Sequence, residues 1–149
     1  MQTQEKPYLT GRTFMFSIHK GEDLLLAIQY FCHHHQVRCG LINAIGAVER
    51  ATFSVYDQKA KKYVKINMEK ELEILSLVGD VSLFDDKPMV HAHATFSDIE
   101  GKAFGGHLVA GTKVFSAEVY IQELTGDVKT RKLDKATQLP LWANPVCLK

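Results

Sequence analysis

HAHATFSDIEGKAFGGHLVAG, residues 91–111, gathers three of the chain's seven histidines around a single turn signal and a run of glycines. Residues 89–96 and 102–110 read as two strands. Asp98-Ile99-Glu100-Gly101-Lys102 between them fits a three-residue hairpin connection with Gly101 in the left-handed position of a bulge. If Asp98 pairs with Lys102, His93 falls directly opposite His107. Side chains alternate along a strand, so His91 shares the face of His93. Directly opposed Cβ atoms lie about 4.5–5.5 Å apart and diagonal ones about 7–8 Å. His91, His93 and His107 are therefore candidate ligands for one cation, in the manner of three-histidine zinc centres that keep an open fourth position. The competing reading is three ordinary half-buried sheet histidines. Gly105 and Gly106 bear on the choice, since a bulge there would turn His107 to the other face, while close backbone approach to a ligand would use the same glycines.

The rest of the chain supplies the frame for that hairpin. Residues 12–18 (RTFMFSI) form an apolar, alternating first strand. Residues 22–36 (EDLLLAIQYFCHHHQ) carry acids in the first turn and apolar residues at helical spacing, so a helix is expected. Residues 39–48 read as a buried strand broken at Gly46, residues 49–57 as a further extended piece, and residues 63–68 as an alternating strand. Residues 72–83 have strand composition interrupted by a turn or bulge at Gly79-Asp80, and residues 85–88 form a loop. Residues 113–124 are β-branched and aromatic, and the polar, Pro-containing tail from Gly126 is laid over the surface or against a neighbour. Many strands around one helix make an α+β domain with a largely antiparallel sheet.

Composition narrows the function. The chain has 149 residues, 46% apolar and 23% charged, which is one domain able to bury a core without metal or disulfide staples. A metal here would serve function before stability. Lys and Arg total 18 against 17 acids, a net charge of +1, and that is a poor footprint for a dedicated nucleic-acid binder. Two basic stretches, Lys59, Lys61, Lys62, Lys65 and Lys129, Arg131, Lys132, Lys135, read as solvated edges. No apolar run reaches the roughly 18–20 residues of a membrane span, and residues 1–8 lack the apolar core of a secretion signal, so a cytoplasmic location is expected. Cys32, Cys39 and Cys147 have no metal or redox spacing and read as reduced thiols.

Other candidates carry less. His33-His34-His35 ends the helix, where consecutive side chains point about 100° apart and cannot chelate together. Such groups instead suit the negative end of the macrodipole. No serine sits in a nucleophile elbow, and no cysteine has an evident base. Glu118 and Glu73, on strands flanking the hairpin, are candidates to receive histidine N–H groups or to act as a base. No catalytic residue is assigned.

The hairpin, together with GEDLLLAIQYFC (21–32), INAIGAVERATF (42–53) and LEILSLVGDVSL (72–83), resembles the PPC (plants and prokaryotes conserved) domain over about residues 12–131. The resemblance implies a single domain spanning 1–149, with a tail from 132, assembled as a homotrimer. It also implies a zinc or other divalent metal site at His91, His93 and His107 of the prokaryotic type, with no settled enzymatic activity. Plant members carry the domain behind AT-hooks and commonly lose these histidines. The DNA-binding or transcription-regulatory role attached to the family is the alternative function, but no Arg-Gly-Arg-Pro hook occurs here.

Overall fold

A computed structural model describes residues 6–143 and 145. Nine strands and one helix follow in the order β1 (Leu9–Ile18), α1 (Leu24–His34), β2 (Gly40–Asp57), β3 (Lys62–Met68), β4 (Leu72–Phe84), β5 (Lys87–Ser97), β6 (Ala103–Leu108), β7 (Lys113–Thr125), β8 (Arg131–Leu133) and β9 (Pro140–Trp142). β1 to β7 form a seven-stranded sheet in the order β1-β7-β2-β4-β5-β6, with β3 on β2, and every ladder is antiparallel. The result is the expected α+β architecture, mostly antiparallel sheet with one helix.

The organising element is β2. The break expected at Gly46 does not occur, and β2 runs unbroken for 18 residues. Gly46, at φ +145°, absorbs only a register shift against β4 between Ala44 and Gly46. β2 is long enough to pair with β7 and β4 along its first part and with β3 and β6 further on. Its contact with β6, at Phe53↔Leu108 and Ser54↔His107, closes a circuit through β4, β5 and β6.

Helix α1 begins two residues later than the sequence pattern suggests, at Leu24 instead of Glu22. The acids stand ahead of its first turn, and Asp23 is the N-cap, accepting the Leu26 N–H at 3.0 Å. Its other carboxylate oxygen accepts the Gly111 N–H at 2.6 Å and so ties the helix to the turn before β7. Leu24, Ile28 and Cys32 bury against a sheet face that includes Val90, Ala92, Ala94 and Phe96 of β5. By alternation, His91, His93 and Thr95 point from the opposite face of β5.

Three further expectations change. β4 passes straight through Gly79-Asp80 with neither turn nor bulge, pairing Gly79 with Ala92 and Asp80 with His91. Lys87 and Pro88 belong to β5, and only Asp85-Asp86 turns, both residues at positive φ as the twist of a two-residue hairpin demands. The tail is not a loose overlay. β8 and β9 form a second sheet, held to the end of β4 by Leu83 N–H donating to Lys129 O at 2.9 Å and to β2 by the Tyr56 hydroxyl donating to Thr137 O. Cys32 and Cys39 are buried free thiols, and burial pushes the Cys32 pKa up to about 12, which keeps it an unreactive thiol. Cys147 lies outside the described residues.

Candidate metal centre

The hairpin register follows from its turn. Gly101 sits at φ +77°, Asp98 Oδ1 accepts the Glu100 and Lys102 N–H groups, and Asp98 N–H donates to Lys102 O. From there the ladder runs without a bulge through Phe96↔Phe104, Thr95↔Gly105 and Ala94↔Gly106 to His93↔His107. The slip anticipated at Gly105-Gly106 is absent. These glycines permit close strand approach, since a Cβ would lie 2.4 Å from Ala94 O at Gly105 and 2.6 Å from Ser54 O at Gly106. Both also line the pocket described below.

His91, His93 and His107 converge. Each offers one ring nitrogen, and these atoms all lie within 4.8 Å of one another. The ring centroids form a near-equilateral triangle of 5.3, 5.2 and 5.5 Å. The rings line a pocket of about 580 Å³ together with Tyr63, Val55 and, from the tail hairpin, Leu139, Pro140 and Leu141. Tyr63 stacks on the His107 ring at 5.0 Å.

Electrostatics favour neutral rings. Burial, reinforced by repulsion from His91, His93 and Arg131, pulls the His107 pKa down to about 4. Desolvation and then the charge of His91 also lower His93, although its ring is the exposed member of the three. Cations require neutral imidazole lone pairs, so two of the three rings are already in the ligating form near neutral pH. His107 Nδ1 is moreover buried with no hydrogen-bond partner. A buried ring nitrogen left in that state costs about 1–3 kcal/mol, and a cation or its ligand would remove the cost. The donor set fits a borderline metal such as zinc, for which imidazole is a common ligand.

His91 is oriented from behind. Its Nδ1 lies 3.4 Å from Asp80 Oδ2 and 3.3 Å from Arg131 Nη2. With the carboxylate accepting from Nδ1–H, the Nε2 lone pair is the one left for a cation, the carboxylate–histidine arrangement common at metal sites. Arg131 grips both Asp80 oxygens at 2.8 and 3.0 Å, donates to Ser82 Oγ at 2.8 Å and to Pro140 O at 3.0 Å. Burial opposes charge on Asp80, but hydrogen bonds from His91 and Arg131 outweigh it and hold its pKa below the usual carboxylate range.

Asp80 and Arg131 replace the partners expected from the sequence. Glu118 pairs in register with Ser17 and Ile45, away from β5 and β6, and its carboxylate accepts from the Tyr120 hydroxyl at 3.4 Å. Glu73 stands opposite Ala47 and Ser97, and neither glutamate lines the pocket. Arg131, read as part of a solvated basic stretch, is only 8% exposed. The two sequence signals were an acid within a mainly apolar strand and an Arg within a basic stretch, and neither names its partner. His33, His34 and His35 form no cluster with acids or cysteines. They close the helix, where the His35 carbonyl accepts from Arg12 Nη2 at 3.0 Å and its ring packs on Phe31 at 4.2 Å.

The profile of the Plants and Prokaryotes Conserved (PCC) domain, the family called PPC above, matches residues 6–125. The chain belongs to this family. Two PCC-like crystal structures superpose closely. The metal-containing protein AF0104 from Archaeoglobus fulgidus is 37% identical with a TM-score of 0.88, covering 95% of this chain and 100% of that one. A plant- and prokaryote-conserved protein from Pyrococcus horikoshii is also 37% identical, with a TM-score of 0.90 and coverage of 96% and 99%. The bifunctional protein GlmU of Synechococcus sp. (strain JA-3-3Ab) is 30% identical over 136 residues, 89% of this chain. The chain spans only 21–22% of the length of the curated relatives it matches. The three histidines lie within the PCC match, whereas Arg131 and the tail hairpin lie beyond its end at residue 125.

Proposed function

We propose that this PCC-domain chain binds one divalent cation, zinc, through His91, His93 and His107. The observation that carries the reading is three ring nitrogens within 4.8 Å of one another on a pocket lining, together with a buried, unpartnered nitrogen on the His107 ring. The metal-containing relative from A. fulgidus adds support from outside the chain. A zinc ion on three imidazoles keeps a position for a small molecule and supplies Lewis-acid polarisation there, so a hydrolytic or lyase-type reaction is the activity class we assign. In this proposal residues 1–149 act as one domain, the chain works as a homotrimer, and its location is the cytoplasm. Among the described residues no helix is long and apolar enough to cross a membrane.

Metal analysis of the chain purified without a histidine tag tests the reading. About one equivalent of zinc per chain is expected, and less than about one-tenth of an equivalent with no uptake on zinc addition would overturn it. A DNA-binding or regulatory role is the second reading. It draws on a structural relative from Bacteroides thetaiotaomicron, provisionally called DNA-binding, which at 22% identity shares the fold alone. Duplex binding that weakens steeply with salt would favour it, and no binding at low salt would end it.

A further inference from the structure

The metal reading leaves the charge of the pocket unbalanced. Three neutral imidazoles contribute nothing against a dication, and no Asp or Glu lines the pocket among the described residues. Asp80, the carboxylate beside His91, is gripped through both oxygens by Arg131, so its charge is already matched. A divalent ion here would hold its full excess charge beside walls built largely from Val55, Leu139, Pro140 and Leu141. Uncompensated charge in such surroundings is costly, and a bound ion dominates the local field. The site is therefore built to take an anion with the metal.

A second, independent feature points the same way. Ser54 is 2% exposed, lines the pocket, and its Oγ has no hydrogen-bond partner. It stands directly opposite His107 in the β2–β6 ladder, and opposed residues project from the same sheet face. Its hydroxyl is thus a buried donor on the metal-binding face that lacks an acceptor from the chain. Buried hydroxyls are nearly always satisfied, so this one calls for an acceptor brought by a ligand.

We propose that the pocket binds a small organic carboxylate, its oxygens received by the cation and by Ser54 and its apolar body lying against the tail hairpin. The inference rests on the metal reading above. An inorganic phosphate suits the site less well. The lining offers no lysine and no helix N-terminus, and its guanidinium, Arg131, is already committed to Asp80, Ser82 and Pro140 O, so the several donors a phosphate needs are not at hand. A volume of about 580 Å³ accommodates a body of several carbons beside the carboxylate.

Cobalt(II) in place of zinc provides a readout independent of activity, because its visible absorption responds to the ligand that completes its shell. At saturating cobalt, sodium butyrate is expected to shift the spectrum saturably, with a Kd at least about tenfold below those of butyramide and inorganic phosphate. Ser54→Ala, which removes only a buried unpartnered hydroxyl, is expected to weaken butyrate about tenfold. A cobalt-loaded chain whose spectrum ignores butyrate, or that prefers the amide or phosphate, would overturn the carboxylate proposal and leave the metal reading standing. Undiminished butyrate binding by the Ser54→Ala chain would overturn the role given to that hydroxyl. Failure of cobalt to bind at all would instead strike the metal reading, and this proposal with it.

Discussion

Acidification of the metal-free protein should cost stability in a window set by His107. In the folded chain its pKa is about 4, against an ordinary value of 6.5. The unfolded chain therefore takes up a proton first as the pH falls. Above about 6.5 both states are neutral at this ring and stability is flat. Between about 6.5 and about 4 the unfolded state is increasingly favoured, and below about 4 the loss is complete. At 1.36 kcal/mol for each pH unit separating the two values, the full loss is about 3 kcal/mol. His93, lowered for the same reasons, adds to the slope. The carboxylates held below their usual range, Asp80, Asp98 and Glu123 among them, give up their contribution only below about pH 5, so the upper part of the histidine window is free of them. Urea unfolding of chelator-treated protein at pH 7, 6, 5 and 4.5, set against His107→Gln, measures it. A flat profile in the parent chain, or an equal slope in the variant, refutes the assignment. Added zinc should raise the midpoint at pH 7 and steepen the decline toward acid, because protons and metal compete for the same nitrogens.

Other expectations follow from single contacts. Asp80→Asn exchanges the charged acceptor that orients His91 for a neutral amide and should lower zinc affinity roughly 10–100-fold in a competition titration against a chromophoric chelator, and a change under twofold would count against that orienting role. Asp23→Ala deprives Leu26 and Gly111 of their acceptor and should cost about 1–2 kcal/mol by urea unfolding, with no effect on metal affinity beyond that caused by instability. Gly106→Ala would place a methyl 2.6 Å from Ser54 O. It should destabilise by about 1–3 kcal/mol and weaken zinc binding by moving His107 from Ser54, both measurable on one purified variant.

The sequence was most informative where structure is local. One turn, Asp98 to Lys102, dictates the register of β5 against β6, and the opposition of His93 and His107 follows from counting outward. Helix α1 was equally legible, apart from the acids that cap it instead of filling its first turn. Strand neighbours were not legible. Alternation tells which face a residue takes but not which strand lies beside it, so Glu118 and Glu73 were candidates while Asp80 read as part of a turn. The structure pairs β7 with β1 and β2, and β4 with β5, and only Asp80 meets a histidine. Arg131 was hidden because a three-residue strand has too few positions to display a pattern. Gly46 and Gly79 misled in the same manner, since a glycine that spares the backbone a clash reads like one that breaks a strand.

All three imidazoles belong to one hairpin, while Ser54 arrives from β2 and Arg131 from the far end of the chain. Hairpins close in microseconds, and contacts between distant segments come later. A nascent chain that has emerged as far as residue 107 thus holds all three ligands for its ion while Arg131 is still inside the ribosomal tunnel. Loading would then be a co-translational event that guides folding, and chelation during synthesis would leave a different product from chelation of the finished protein.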